Sequence, residues 1–368
     1  MKKGRKEYLV GLLVVGAVWM IITLGCFLTP AKESSSSERR KLAQFPKFSI
    51  ENVVNGQFMS KFEEYTLDQF PLRDTMRQIK SSTSRHLFRQ KDSNGYYMVG
   101  DVIGKLDYPL KEGSVMHALN LMENLVNTYM DEEKQNIYVS VVPDKGYFLA
   151  DENGYPSMDY AKMFSLVKSQ TPYAKYIDIT HLLDIGDYYK TDTHWRQEEL
   201  EDVAALLKKE MGVKLPESSY EQVEASDSFY GVYAGQSAFS VKPDQLTYLT
   251  NPTLESCVVD NMEDKEFHKI YNLDKVRGRD PYDLYLSGAT PLLTIQNPNA
   301  KTDKELIVFR DSFGSSIAPL LVDGYSKVTL VDIRYMKSSL VGDYLTFHNQ
   351  DVLFLYSSLL LNSSFSMS

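Results

Sequence analysis

The sequence predicts an α/β fold, a parallel sheet covered by helices on both faces, with one membrane helix and a short helical segment ahead of it. Three observations lead there. Apolar, β-branched runs alternate with amphipathic helical stretches from residue 136 to residue 356, and that alternation gives strands laid side by side in parallel. Residues 8–28 form an apolar run without a charge, long enough at 1.5 Å per residue to cross a hydrocarbon core of about 30 Å. The remainder has an ordinary globular balance, with 43 % hydrophobic and 24 % charged residues overall, which argues against extended disorder.

Lys2, Lys3, Arg5 and Lys6 precede the apolar run. Such a basic cluster stays on the cytoplasmic side, so residues 1–7 are expected inside and the C-terminal bulk outside. A cleavable signal peptide is the rival reading, but its apolar core is shorter and is followed by a small-residue cleavage site, which is missing here. Thr23-Leu24-Gly25-Cys26 resembles a lipoprotein cleavage box only faintly, Thr23 fitting poorly. Residues 29–41 hold Pro30, four consecutive serines at 34–37 and mixed charge, the composition of a flexible stalk.

Residues 42–92 are expected to form a membrane-proximal helical segment. Phe58, Phe62, Tyr65 and Leu67 recur at mostly helical spacing over 56–85, and Pro71 interrupts the pattern. The main domain is placed at 93–368. It opens on a β-rich stretch at 96–106 with turns at Gly100 and Gly104, followed by an amphipathic helix over 115–134. Strands are expected at 136–142, which Pro143 ends, and at 176–179, 305–309, 328–333 and 352–356. Helices are expected at 198–211 and, after a tight turn at Gly314, at 315–321. Residues 220–299 are polar and less periodic and read as an insertion with β-hairpins.

Composition narrows the function. The net charge of −9 disfavours nucleic acid as a partner, because phosphate binding needs a basic field. Cys26 lies in the apolar run and Cys257 far downstream, so no internal disulfide is expected; export without disulfides suits a bacterial, particularly Gram-positive, surface protein. The six histidines are scattered and no Cys or His pair has ligand spacing, so no metal site and no cofactor are expected. The 25 tyrosines fit two roles, a sugar-binding surface or filling of core and interfaces.

Two motifs carry chemistry. In 305–314 a hydrophobic strand runs directly into Arg310, Asp311 and Ser312, and Gly314 opens a helix. Reactive groups of parallel sheets sit beyond the carboxyl ends of strands, and the following helix start offers free N–H groups to an oxyanion. Asp311 and Ser312 could equally serve as helix caps. In 190–195, Asp192 and His194 stand two apart and project to one face of an extended chain. The carboxylate can then fix the imidazole tautomer and leave its far nitrogen as a base for a serine. The same pair could be a turn or half a metal site. Together the motifs supply a nucleophile, Ser312, with the base, His194, and the orienting acid, Asp192, that a weak serine nucleophile requires.

At these residues the sequence resembles the DHHW family of bacterial surface proteins, which belongs with the alginate O-acetylation proteins and their SGNH-hydrolase-like domain. The resemblance spans nearly all of the ectodomain. Thr191-Asp192-Thr193-His194-Trp195 is similar to the name motif, with Thr193 in place of its middle His, and residues 310–314 to the nucleophile block. Residues 40–46 and 68–74 resemble the membrane-proximal segment, Pro143-Asp144-Lys145 a strand-end lysine motif, and 331–334 a penultimate-strand ending. The resemblance implies a three-layer α/β/α fold of SGNH type, with the Asp-His pair ahead of the serine block in sequence. It also implies acetyl transfer onto an extracellular polysaccharide or cell-wall glycan, served by a membrane-bound O-acyltransferase partner. Lys145 and Arg334, which follow predicted strands on one sheet edge, are expected in the substrate pocket or else in salt bridges, and Trp195 beside the site as packing or as a sugar platform. An acetylesterase of the same glycan class and a non-catalytic glycan-binding scaffold remain the alternatives.

Overall fold

The computed structural model describes residues 2–35, 37–131, 135–213 and 219–368. The chain forms two compact units, Met1–Ser93 with Gly235–Ser240, and Asn94–Ala234 with Val241–Ser368.

The first unit begins with α1, Lys2–Leu28. Its segment Tyr8–Cys26 has a mean hydropathy of 2.5 and is a single helix long and apolar enough to cross a membrane. Within the residues read as a stalk, Ser34–Ser35 pairs antiparallel with Arg40–Lys41. Ion pairs explain why a polar, serine-rich stretch takes a fixed path. Arg40 binds Asp68 at 2.6 Å and 2.8 Å through two nitrogens, and Glu38 sits against Arg73 and Arg77. The bidentate Arg40 contact holds the Asp68 carboxyl down at about 2. Helix α2 is Gln57–Asp68 and α3 is Arg73–His86. The break falls where Pro71 predicts it, and Leu72 takes a left-handed φ of 56° to redirect the chain.

The second unit is built on a seven-stranded sheet. Its strands are β1 Ile137–Val142, β2 Lys175–Tyr176, β3 Val258–Asn261, β4 Leu292–Gln296, β5 Glu305–Arg310, β6 Lys327–Val331 and β7 Asp351–Ser357. The spatial order is β3-β4-β6-β5-β7-β1-β2. All neighbours from β6 to β2 pair in parallel. Strands β3 and β4 extend the other edge by antiparallel pairing, so the expected insertion at 220–299 contributes two strands to the main sheet. The rest of it includes the antiparallel pair Glu221–Phe229 and Asp244–Thr250.

Burial of both sheet faces accounts for the continuous apolar runs. In β5, Leu306 and Val308 join one core while Ile307 and Phe309 join the other. Strand β7 divides in the same way, Leu353 and Leu355 against Val352, Phe354 and Tyr356. The first face is covered by α6, Glu201–Glu210, and α7, Gly314–Leu321; the second by α4, Glu112–Tyr129, and α5, Tyr160–Gln170. The chain is thus a three-layer α/β/α structure. Helix α4 starts three residues before its expected place, at Glu112, an acid suited to the first turn. Its expected end at 134 lies outside the described residues. Helix α6 begins only at Glu201 because Gln197–Glu199 is a separate 3-10 turn.

Strand β5, flanked on both sides, is the structural centre. Phe309 is fully buried and stacks on Phe354 of β7 at 4.8 Å. Phe309→Ala is expected to lower stability by about 3–5 kcal/mol, read as a shift of the urea unfolding midpoint with an unchanged m-value.

Candidate active site

Strand β5 delivers Ser312 to the carboxyl edge of the sheet. The chain leaves the strand at Arg310, turns through Asp311 and Ser312, and enters α7 at Gly314. Asp311 fixes this turn. Its Oδ1 accepts the Phe313 N–H at 3.0 Å, and its Oδ2 accepts the Ser357 N–H at 2.9 Å and the Ser357 hydroxyl at 2.6 Å. The serine turn is thereby tied to the end of β7. Ser312 itself remains half-buried.

The second segment reaches the serine from a loop after β2. Two residues that the sequence reading missed hold it. Asp244, at the start of its strand, accepts the N–H groups of Lys190 and Thr191 at 2.9 Å and 2.8 Å and the Thr191 hydroxyl at 2.5 Å. Gly231 packs so closely that a Cβ there would lie 2.3 Å from the Asp192 Cβ, so only glycine fits. Lys145, at the end of β1, donates to the carbonyls of Tyr189 at 2.9 Å and Lys190 at 3.3 Å.

This scaffold brings three predicted side chains into a line. The His194 Nδ1 lies 2.6 Å from Asp192 Oδ1, and Nε2 lies 2.8 Å from Ser312 Oγ. Asp192 is fully buried. Its Oδ1 also accepts the His194 N–H at 3.1 Å and its Oδ2 the Val232 N–H at 2.7 Å. An ionised Asp192 keeps the His194 proton on Nδ1, which leaves Nε2 to accept the Ser312 hydroxyl proton.

Tyr282 is the third residue missed. Its ring lies parallel to the imidazole, 3.7 Å away at 6°, and its hydroxyl donates to Ser316 Oγ at 2.8 Å. The stacked ring holds the imidazole plane in place. Tyr282 belongs to a buried group with Tyr189, Phe229 and Tyr285. These tyrosines fill the core behind the site and are not a sugar surface.

Other expected site residues fall elsewhere. Trp195 has no exposed surface. Its indole donates to Ser316 Oγ at 2.9 Å and to the Phe313 carbonyl at 3.1 Å, so it packs beneath the site and cannot serve as a sugar platform. Lys145 is equally buried, and its ammonium faces the backbone carbonyls and the Tyr233 ring at 4.8 Å, which corrects the expectation of substrate contact. Arg334 grips the buried Asp332 carboxylate at 2.9 Å and 2.5 Å, the salt-bridge alternative, while keeping a fifth of its side chain exposed. The helix start also offers less than expected. The N–H groups of Phe313, Gly314 and Ser315 are engaged by Asp311 and Ser312, which leaves the N–H of Ser312 itself as the backbone donor for an oxyanion. Among the described residues no group of three or more His, Cys, Asp or Glu could hold a metal ion.

Comparison with solved structures identifies the fold. A DHHW family protein from Eubacterium siraeum superposes with a TM-score of 0.59 at 18 % identity, covering 73 % of this chain and 93 % of that one. PatB1 from Bacillus cereus gives 0.58 at 18 % identity, covering 72 % of this chain and 96 % of its own, and it has also been solved with a sulfonyl adduct. The chain shares their fold. The three-layer expectation drawn from the DHHW resemblance is met. No family model matches the sequence, and no curated protein matches it either.

Lys145 gives the site a pH signature. Burial pushes its ammonium down to about 7, against the pull of Asp192, Asp244 and Asp144. The unfolded lysine stays protonated up to about 10.4, so between those values the unfolded chain binds the extra proton and stability rises with pH. Unfolding free energies measured at pH 7 and pH 9 are expected to show this contribution as a difference from Lys145→Met, whose profile lacks it.

Proposed function

We propose that the protein is a membrane-anchored serine O-acetyltransferase acting on an extracellular polysaccharide or cell-wall glycan. The observation that carries the reading is the unbroken chain Asp192–His194–Ser312, with contacts of 2.6 Å and 2.8 Å. The motif resemblance to the DHHW and alginate O-acetylation proteins supports the acetyl group and the glycan class. The likeness to PatB1 supports a reactive group in this fold, since sulfonyl reagents capture activated nucleophiles.

In this mechanism Ser312 Oγ attacks the acetyl carbonyl while its proton passes to His194 Nε2. Asp192 holds the imidazolium that forms, and the stacked Tyr282 ring keeps its plane in place. The carbonyl oxygen becomes an oxyanion beside the Ser312 N–H. Nε2 then returns the proton to the leaving group, and the acetyl remains on Ser312. A sugar hydroxyl gives its proton to Nε2 and attacks this ester, which frees Ser312. Water in place of the sugar would make the protein an acetylesterase. A membrane-bound O-acyltransferase supplies the acetyl donor, and the glycan hydroxyl is the acceptor.

A purified protein is expected to release acetate slowly from an aryl acetate, whose leaving group needs little help. Ser312→Ala and His194→Ala should each lose about 10⁴–10⁶-fold, and Asp192→Ala somewhat less, because the three act as a unit. A sulfonyl fluoride should add one mass increment at Ser312 in the wild type and none in Ser312→Ala. With glycan fragments present, acetylated sugar in the mass spectrum supports transfer, and free acetate alone points to the esterase. Equal hydrolysis by wild type and Ser312→Ala rejects the catalytic reading.

The anchor reading makes residues 1–7 cytoplasmic and the main domain external. Protease added to intact protoplasts is expected to digest the ectodomain, and full protection overturns this topology.

A further inference from the structure

The membrane-proximal unit carries an apolar surface that the acyl chemistry does not use. Phe45, Phe48, Ile50, Val54, Met59 and Leu72 are each more than half exposed. Several of the apolar side chains adjoin: the Phe45 ring contacts those of Phe58, Phe62 and Tyr65 at 5.3–6.4 Å, and Phe48 contacts Phe58 at 5.7 Å. No residue of α2 is buried. A soluble surface seldom leaves so many large apolar groups in one short segment.

Charge separates this segment from the rest. Residues 29–93 hold twelve Lys and Arg against eight Asp and Glu, a net of +4, whereas residues 94–368 hold 24 against 40. The apolar stretch itself is not basic: within residues 45–72, Lys47 and Lys61 stand against Glu51, Glu63, Glu64 and Asp68. Exposed apolar and aromatic side chains in a segment joined to a membrane helix match the apolar side of a lipid interface.

Depth comes from α1. Gly25 lies within the apolar span Tyr8–Cys26, and a Cβ on it would lie 3.3 Å from Pro71 Cγ. Lys32 and Gln69 lock the same junction, the Lys32 N–H donating to Gln69 Oε1 at 2.8 Å and Gln69 Nε2 donating back to the Lys32 carbonyl at 2.9 Å. The corner between α2 and α3 therefore sits level with the last turn of the apolar helix. We infer that this corner, Phe70 to Leu72, is inserted into the outer lipid interface. The inference depends on the anchor reading of α1.

The test uses the full chain in lipid nanodiscs, with Leu72→Cys in a Cys26→Ser, Cys257→Ser background carrying an environment-sensitive fluorophore. Doxyl-labelled lipid is expected to quench this probe several-fold more than aqueous iodide does. A probe open to iodide and untouched by doxyl lipid, in protein that remains in the nanodisc, overturns the inference. If the probe is open in nanodiscs but shielded in native membranes, a protein partner covers the corner and the lipid assignment falls. Intact mass of cell-derived protein separates the two layers of argument. Loss of the first 28 residues removes the anchor, and the inference with it, whereas an intact N-terminus with an iodide-open probe rejects the inference alone.

Discussion

A carboxylate without exposed surface must be satisfied from all sides, and the neutralisation of Asp192 is the constraint on which the site rests. Its oxygens take the His194 Nδ1 and two backbone N–H groups. The Val232 donor can come close enough only because residue 231 is glycine. Lys145 pins the carbonyls of the same loop. The loop, the β1 end and the segment at 231–232 therefore form one hydrogen-bonded unit.

A second junction lies behind the imidazole. Ser316, one turn into α7, receives the indole of Trp195 and the phenol of Tyr282. One hydroxyl thus joins the histidine loop, the insertion and the helix that follows the serine. Both aromatic residues border His194, one by sequence and one by stacking. The orientation of the ring is set by polar contacts made several ångströms away from the reacting atoms, an arrangement suited to holding productive geometry.

Much of the fold was legible because the central strands are buried on both faces and read as plain apolar runs; β1, β5, β6 and β7 were placed from such runs. Strands β3 and β4 were not placed. Their sequences, VVDN and LLTIQ, alternate in burial and include polar residues, so they resemble surface hairpin strands. Their partners lie far along the chain, β4 for β3 and β6 for β4. The pairing of Ser34–Ser35 with Arg40–Lys41 is not legible in sequence, because it is held by Arg40, Glu38 and Asp68, charges whose partners are set in three dimensions. In the site, Asp192, His194 and Ser312 stood out by spacing and by position after a strand. Tyr282 did not, since one stacking tyrosine among 25 carries no local mark. Asp244 and Gly231 lie in the stretch with the weakest periodicity. Lys145 and Trp195 were noticed for their motifs, but burial, which sequence does not display, gave them inward roles.

The strand order has a consequence for how the chain is made. Strand β7 lies between β5 and β1, and Ser357 at its end completes the contacts of Asp311. Synthesis delivers β1 first and β7 last. At roughly 5–20 residues per second, β1 waits about 10–40 s for its neighbour. During that interval the edge of this apolar strand that faces the centre of the sheet has no partner, the condition that favours intermolecular pairing. The serine turn therefore gains its full support only once β7 is made, so a fragment released before β7 exposes that strand edge and lacks the Ser357 contacts of Asp311.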